Sequence, residues 1–242
     1  MSPKLRLDEL LVARGFYPTR SRASDAIRRG TIRIDGEPAD KPARKYSTDA
    51  LIEPADAARR YVSRAALKLL HGLAYFAIDP RNRNALDIGA STGGFTQVLL
   101  EQGAAHVTAL DVGHGQLADV IRHDPRVTAI EGLNARDLTT LPHAIHLIVC
   151  DVSFISLKLA LPPALSLAAN GADLVALIKP QFEAGRDAIG KGGIVTDPQI
   201  HARVYDDISI FLESQGWTVT GTTPSPIEGG DGNKEFLIGA RK

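Results

Sequence analysis

Residues 85–100 read ALDIGASTGGFTQVLL, an apolar run closed by a glycine-rich turn and followed by apolar residues at helical spacing. A strand, a tight loop and a helix in that order bring backbone N–H groups and a helix start against a ligand. The pattern repeats downstream. HVTALDV precedes QLADVIRH, and RVTAI, HLIVCDV and DLVALIK follow as apolar strands, with WTVTGTT at 217–223 and EFLIGAR at 235–241 as two late ones. Strands alternating with helical stretches predict an α/β fold, a doubly wound sheet of seven strands whose last pair is antiparallel.

Three chemistries use a loop written this way. Gly89-Ala90-Ser91-Thr92-Gly93 has the G-x-S-x-G form of a hydrolase elbow, with Asp151 or Asp173 and His201 available in the required chain order. An elbow, however, normally sits deep in its sheet, whereas this loop follows the first strand. A nucleotide-type cofactor fits better, with Asp111, at the end of the second strand, placed to accept from both ribose hydroxyls. Between NAD and S-adenosylmethionine, the second glycine of the NAD fingerprint is replaced by Ser91, which disfavours close approach of a pyrophosphate. Asp87 would repel that anion and suits the cationic end of S-adenosylmethionine. Asp137 is a candidate for the adenine amino group. Gly89, Ser91, Gly93, Gly94 and Phe95, with these three acids, form the expected cofactor site.

Net charge is zero, but it is unevenly spread: residues 1–68 carry 15 Lys/Arg against 9 Asp/Glu, and residues 69–242 carry 13 against 19. A basic head on an acidic body suits a polyanionic partner. Within the head, KLRLDELLVARG and TRSRASDAIRRG read as two short helices, the second capped by Thr19 or Ser21 and ended by Gly30, and TIRIDGE as a strand entering an Asp35-Gly36 hairpin turn. Arg6, Arg20, Arg22, Arg28 and Arg29, with Arg64 further on, form a candidate RNA-contacting track in which Asp25 is the only acid expected to offset the second helix. The run R-L-D-x-L-L at 6–11 and S-R-x-x-A-x-x-x-I-R-x-G-x-I-x-I-D-G after it resemble the S-four RNA-binding domain.

Four more residues stand at the ends of predicted elements: Lys68 in YVSRAALKL, Asp151 in CDVSFISL, Lys179 in LIKPQFE and Glu235 in NKEFLIG. Lys179 ends an apolar strand at the carboxyl edge, where ligands bind in open α/β sheets. A lysine there can take a proton from a hydroxyl if its pKa, about 10.4 unperturbed, is lowered by burial or a neighbouring cation, and Lys68 is a candidate for that cation. The set matches the K-D-K-E tetrad of FtsJ-like ribose 2′-O-methyltransferases. With the S-four head, DIGASTGGFTQVLL, DVSFISL, LIKPQFE, GKGGIV and NKEF, the whole chain resembles the TlyA (hemolysin A) family. That resemblance implies a Rossmann-like, seven-stranded class I methyltransferase sheet behind a small α+β head, with domains at 1–58 and 65–242 and a linker at 59–64. It also implies S-adenosylmethionine as cofactor and a 2′-O-methylcytidine product in ribosomal RNA within ribosomal subunits. The short type to which the chain is similar favours 23S rRNA, with 16S as the further target of longer members.

Other signals bound the reading. Cys150 is the only cysteine, which excludes an internal disulfide framework and suits a cytoplasmic protein. No signal core or uninterrupted apolar span occurs, against a membrane-lytic hemolysin. No metal is expected, and His143-x-x-His146 reads as non-metal. Residues 183–195, EAGRDAIGKGGIV, read either as a mobile closing loop or as a simple linker, and lack the frame of a P-loop. Phe154 fits either a site lining or the core. A base-modifying RNA methyltransferase on the same sheet is the enzymatic alternative.

Overall fold

The computed structural model describes residues 2–185 and 188–242, so Arg186 and Asp187, within the segment read as a closing loop or a linker, lie outside it. The chain divides into two compact units, Met1–Arg60 and Tyr61–Lys242. Residues 59–64 are shared between them: Arg59 and Arg60 end a short 3-10 turn in the first, and Tyr61 is buried in the second.

In the first unit, β1 (Lys4–Arg6) leads into α1 (Leu7–Ala13), then α2 (Arg20–Arg28), β2 (Ile32–Ile34), β3 (Glu37–Pro38), β4 (Lys45–Ser47) and β5 (Ile52–Pro54). Thr19 caps α2, its side chain accepting from the Arg22 amide at 3.3 Å. Asp35 and Gly36 have φ of 51° and 82°, as a two-residue primed hairpin turn requires, so β2 and β3 pair antiparallel. β5 completes that sheet on the other side of β2, and β1 pairs with β4. Leu7, Leu10, Leu11, Ala23, Ala26, Ile27, Ile32 and Ile34 close the core. The three-residue strands β1, β4 and β5 are too short to show a period in the sequence.

The second unit begins with α3 (Ala66–Tyr75) and continues as β6 (Asn84–Ile88), α4 (Gly94–Glu101), β7 (His106–Asp111), α5 (Asp119–Arg122), β8 (Val127–Glu131) and β9 (Ile145–Cys150). It ends with α6 (Leu157–Ala160), α7 (Pro162–Leu167), β10 (Ala168–Ile178), α8 (Pro180–Glu183), α9 (Pro198–Ser214), β11 (Thr218–Pro224) and β12 (Phe236–Arg241). The seven strands run in the order β11-β12-β10-β9-β6-β7-β8, with β12 alone antiparallel to its neighbours. Alternate residues serve opposite faces. Leu86, Ile148, Leu174 and Ile238 meet α7 and α9 through Leu165, Val204, Ile208 and Leu212, while Ala85, Val149, Val175 and Leu237 meet α3 and α4 through Leu69, Leu73, Val98 and Leu99.

Two helices differ from expectation. QLADVIRH forms only the four residues of α5, because the residue before it is drawn into the glycine loop, Ala118 N donating to the Thr92 carbonyl at 3.2 Å, and Pro125 follows closely. The seventeen-residue α9 went unnamed, although Asp197-Pro198 is a start signal and Ile200, Val204, Ile208 and Leu212 are spaced by four.

Candidate active site

β6 has β9 on one side and β7 on the other, so chain direction across the sheet reverses at its carboxyl end, where open α/β sheets form their ligand crevice. The loop after β6 crosses this point. Gly89 adopts φ 81°, and a Cβ there would come within 2.7 Å of the Asp151 carbonyl oxygen, so only glycine lets the two loops touch. Asp111 ties the neighbouring turn to it: one carboxylate oxygen accepts from the Ser91 amide and the other from the Gly113 amide, each at 2.7 Å. A cavity of about 870 Å³ lies over these loops, lined by Gly89, Ser91, Asp111, Val112, Leu133 and Phe154 among others. A second, of about 210 Å³, adjoins Gly94, Phe95, Asp151 and Lys179.

Of the expected cofactor residues, Gly89, Ser91, Gly94, Phe95 and Asp111 line these cavities, whereas Asp87, Gly93 and Asp137 do not. Gly93 instead caps the start of α4 with φ 95°, where a Cβ would press on Leu117 and Ile121. Asp87 is fully buried and accepts from the Thr96 hydroxyl at 2.6 Å; burial raises its pKa to about 7. It lies beneath the loop, outside the lining of both cavities. Asp137 is exposed on a 3-10 turn, and Asn134 and Ala135 of that turn reach the cavity wall instead. The hydrolase reading fails on geometry: the Ser91 hydroxyl meets Gln116 Oε1 at 3.3 Å, and His201 Nε2 is engaged by the Val195 carbonyl at 3.0 Å.

The four tetrad residues converge. Lys68 lies in the first turn of α3, Asp151 follows β9, Lys179 follows β10, and Glu235 precedes β12. β10 lies between β9 and β12, and Phe236 is paired with Ile178, so the antiparallel strand starts where the parallel strands end. Lys68 Nζ is 2.6 Å from Glu235 Oε2 and 3.5 Å from Asp151 Oδ2, and Lys179 Nζ is 2.6 Å from Asp151 Oδ1. The result is a row of alternating charge, Glu235, Lys68, Asp151, Lys179. Lys68, Lys179 and Glu235 are only 6%, 7% and 5% exposed. Burial alone raises Asp151, but the two ammonium groups outweigh it and hold the carboxyl below its usual range.

Two supports were not foreseen. Ser153 Oγ accepts from Lys179 Nζ at 2.9 Å, a residue within the quoted DVSFISL run whose role depends on the turn after β9. Asn233, 1% exposed, accepts from the Val195 amide and donates to the Gly193 carbonyl, both at 3.0 Å, which ties the glycine-rich segment to the strand entry that carries Glu235. Phe154 is 90% exposed, with φ 65°, its ring 5.2 Å from that of Phe182, and so belongs to the cavity and not to the core. Among the described residues no group of three or more His, Cys, Asp and Glu is placed to hold a metal.

In the first unit the arginines are more occupied than the sequence suggested. Arg6 and Arg20 both pair with Asp8 and Glu9, and Arg29 takes Asp56 with two hydrogen bonds of 2.9 Å while also holding Asp25. The expected lack of acids beyond Asp25 is therefore corrected; the balancing acids come from α1 and from the segment after β5. Arg22 donates to the Ala58 carbonyl at 3.4 Å, and Arg28 is exposed. Arg64 belongs to the second unit, half-buried ahead of α3.

Residues 61–242 match the model of the FtsJ-like methyltransferase family, and residues 5–52 match the S4 domain. The chain is an FtsJ-like methyltransferase. This methyltransferase is 48% identical to the 16S/23S rRNA (cytidine-2′-O)-methyltransferase TlyA of Mycobacterium tuberculosis, over 100% of the chain and 91% of the relative. It is 40% identical to the 23S rRNA (cytidine-2′-O)-methyltransferase TlyA of Campylobacter jejuni, over 73% of the chain and 69% of the relative. The solved structure of a Streptococcus thermophilus protein, 40% identical, covers 100% of the methyltransferase and 90% of its own chain with a TM-score of 0.78.

Proposed function

We propose that this methyltransferase transfers a methyl group from S-adenosylmethionine to the ribose 2′-hydroxyl of a cytidine in ribosomal RNA, with 23S rRNA preferred over 16S. The observation that carries the reading is the buried row Glu235-Lys68-Asp151-Lys179 at the carboxyl edge of the sheet, beside the glycine loop. The activities of the relatives from M. tuberculosis and C. jejuni support the substrate.

The residues present fit the cofactor. Gly89, Ser91, Gly94 and Phe95 would border it, Asp111 keeps lone pairs free for ribose hydroxyls beyond its two backbone bonds, and Val112 and Leu133 offer apolar walls to an aromatic ring. When bound, it supplies a methyl group on a cationic sulfonium. The chain's own residues do the rest. A ribose hydroxyl is a weak nucleophile, and Lys179 would assist removal of its proton as the oxygen attacks. Asp151 and Ser153 fix the Lys179 amine, and Lys68, itself held by Glu235, keeps Asp151 ionised. Catalysis is then positioning and electrostatics.

The first unit would bring the enzyme to ribosomal RNA in the cytoplasm through phosphate contacts, with exposed Arg28 the clearest contributor and Arg6, Arg20, Arg22 and Arg29 divided between RNA and their internal partners. Arg64 would add a contact from the second unit. No helix of the described residues is long and apolar enough to cross a membrane, so nothing in the helices favours a lytic activity. Lys179→Ala tests the tetrad: methyl transfer to ribosomal subunits should fall about 10²- to 10⁴-fold while cofactor affinity, measured by calorimetry, stays near wild type. Retained transfer would remove Lys179 from the role of base.

A further inference from the structure

Glu235 has two settings. Its carboxylate pairs with Lys68, and the residue also lines a third cavity, of about 520 Å³, that shares no lining residue with the two over the glycine loop. One wall comes from α9, with His201 and Tyr205, another from the start of β12, with Phe236, and a third from the segment after β11, with Ser225 and Glu228. The three rings form one cluster: Phe236 is 4.6 Å from Tyr205 and 5.3 Å from His201, whose Nε2 is fixed by the Val195 carbonyl. Phe236 is paired with Ile178, the residue before Lys179, so one wall of this cavity is the strand neighbouring the one that ends at Lys179.

The chemistry of the lining narrows the occupant. Of the two carboxylates in the lining, Glu235 is paired with Lys68, which leaves Glu228 with Lys234 and a wall with no excess of positive charge to draw a phosphate. Aromatic rings beside carboxylate acceptors suit a flat, uncharged group with N–H donors. RNA presents such a group when a base is unpaired, stacking on side-chain rings and donating from its exocyclic amine. We propose that this cavity receives an unpaired, amino-bearing base of the substrate RNA, stacked against Tyr205 and Phe236, and thereby sets the register of the strand against Lys179. The inference rests on the ribose-methylation reading above.

The test separates the two. With ribosomal RNA as substrate, Tyr205→Ala should raise the RNA KM about ten-fold or more with cofactor Kd and melting temperature unchanged, and Tyr205→Phe should restore it, because the ring and not the hydroxyl stacks. In parallel, the unaltered full chain is irradiated with ribosomal RNA carrying 5-iodocytidine, and the adducts should include peptides from 198–205 or 224–236. An unchanged KM in a folded Tyr205→Ala, or no adduct in either peptide, overturns this inference while wild-type methylation stands. Wild-type protein that transfers no methyl group to ribosomal RNA overturns the methylation reading and this inference with it.

Discussion

The two units use the same ionic pairs to different ends. In the first, arginines on short helices bind acids from neighbouring elements: Arg29 grips Asp56 with both terminal nitrogens, Tyr17 donates to the same carboxylate at 2.9 Å, and Arg6 and Arg20 converge on Asp8. In the second, two lysines and two carboxylates form a nearly sealed row at the edge of a sheet. The planar guanidinium is always charged and forks onto a carboxylate, so it fastens elements that three-residue strands cannot hold alone. The ammonium is a compact charge with three donors, so Lys68 reaches both Glu235 and Asp151, and Lys179 both Asp151 and Ser153. Which cation a position carries thus separates scaffold from site.

That contrast can be broken by exchanging roles. After Lys179→Ala, Lys68→Met should have the largest effect, leaving Glu235 and Asp151 without their shared cation and lowering kcat/KM for methyl transfer by about 10²-fold, read in a subunit-labelling assay. Arg29→Ala should destabilise the first unit by about 2–4 kcal/mol in urea unfolding, because the Asp56 side chain, 1% exposed, loses its main partner.

The acids predict opposite pH slopes. Asp8, held down to about 2 chiefly by its hydrogen bond to Arg6, contributes stability present above about pH 4 and lost as pH falls through 2. Asp87, raised by burial from 3.8 to about 7, contributes stability present below pH 4 and lost as pH rises through 7. Asp87→Asn should therefore flatten the decline in melting temperature between pH 5 and pH 8 relative to wild type, on the order of a few degrees. The smallest effect belongs to Arg28→Ala, which should weaken RNA binding several-fold and reduce the slope of log K against log salt by about one, without changing the melting temperature.

Much of this was legible before the coordinates. Strand-helix alternation from Asn84 announced the seven-stranded sheet, and the resemblance to the K-D-K-E tetrad singled out Lys68, Asp151, Lys179 and Glu235 from other charged residues at element ends. What stayed hidden depends on contacts distant in sequence. Asp87 reads as a motif acid, yet whether it faces the ligand or lies under Thr96 is decided by the path of α4. Likewise Asp8 and Asp56 lie 12 and 27 residues from the arginines they neutralise, Arg20 and Arg29, so the arginine-rich helix looked uncompensated. The alternating order within the tetrad was invisible too, since residues 68, 151, 179 and 235 carry no record of who lies beside whom.

Ribose methylation leaves a chemical mark that base methylation does not. Ribosomal subunits from cells lacking this enzyme are incubated with it and labelled S-adenosylmethionine, and the extracted RNA is hydrolysed in alkali. A methylated 2′-hydroxyl cannot attack the adjacent phosphate, so the label should remain in an alkali-resistant dinucleotide whose 5′ residue is cytidine. Label recovered in single nucleotides would place the methyl group on a base and contradict the account.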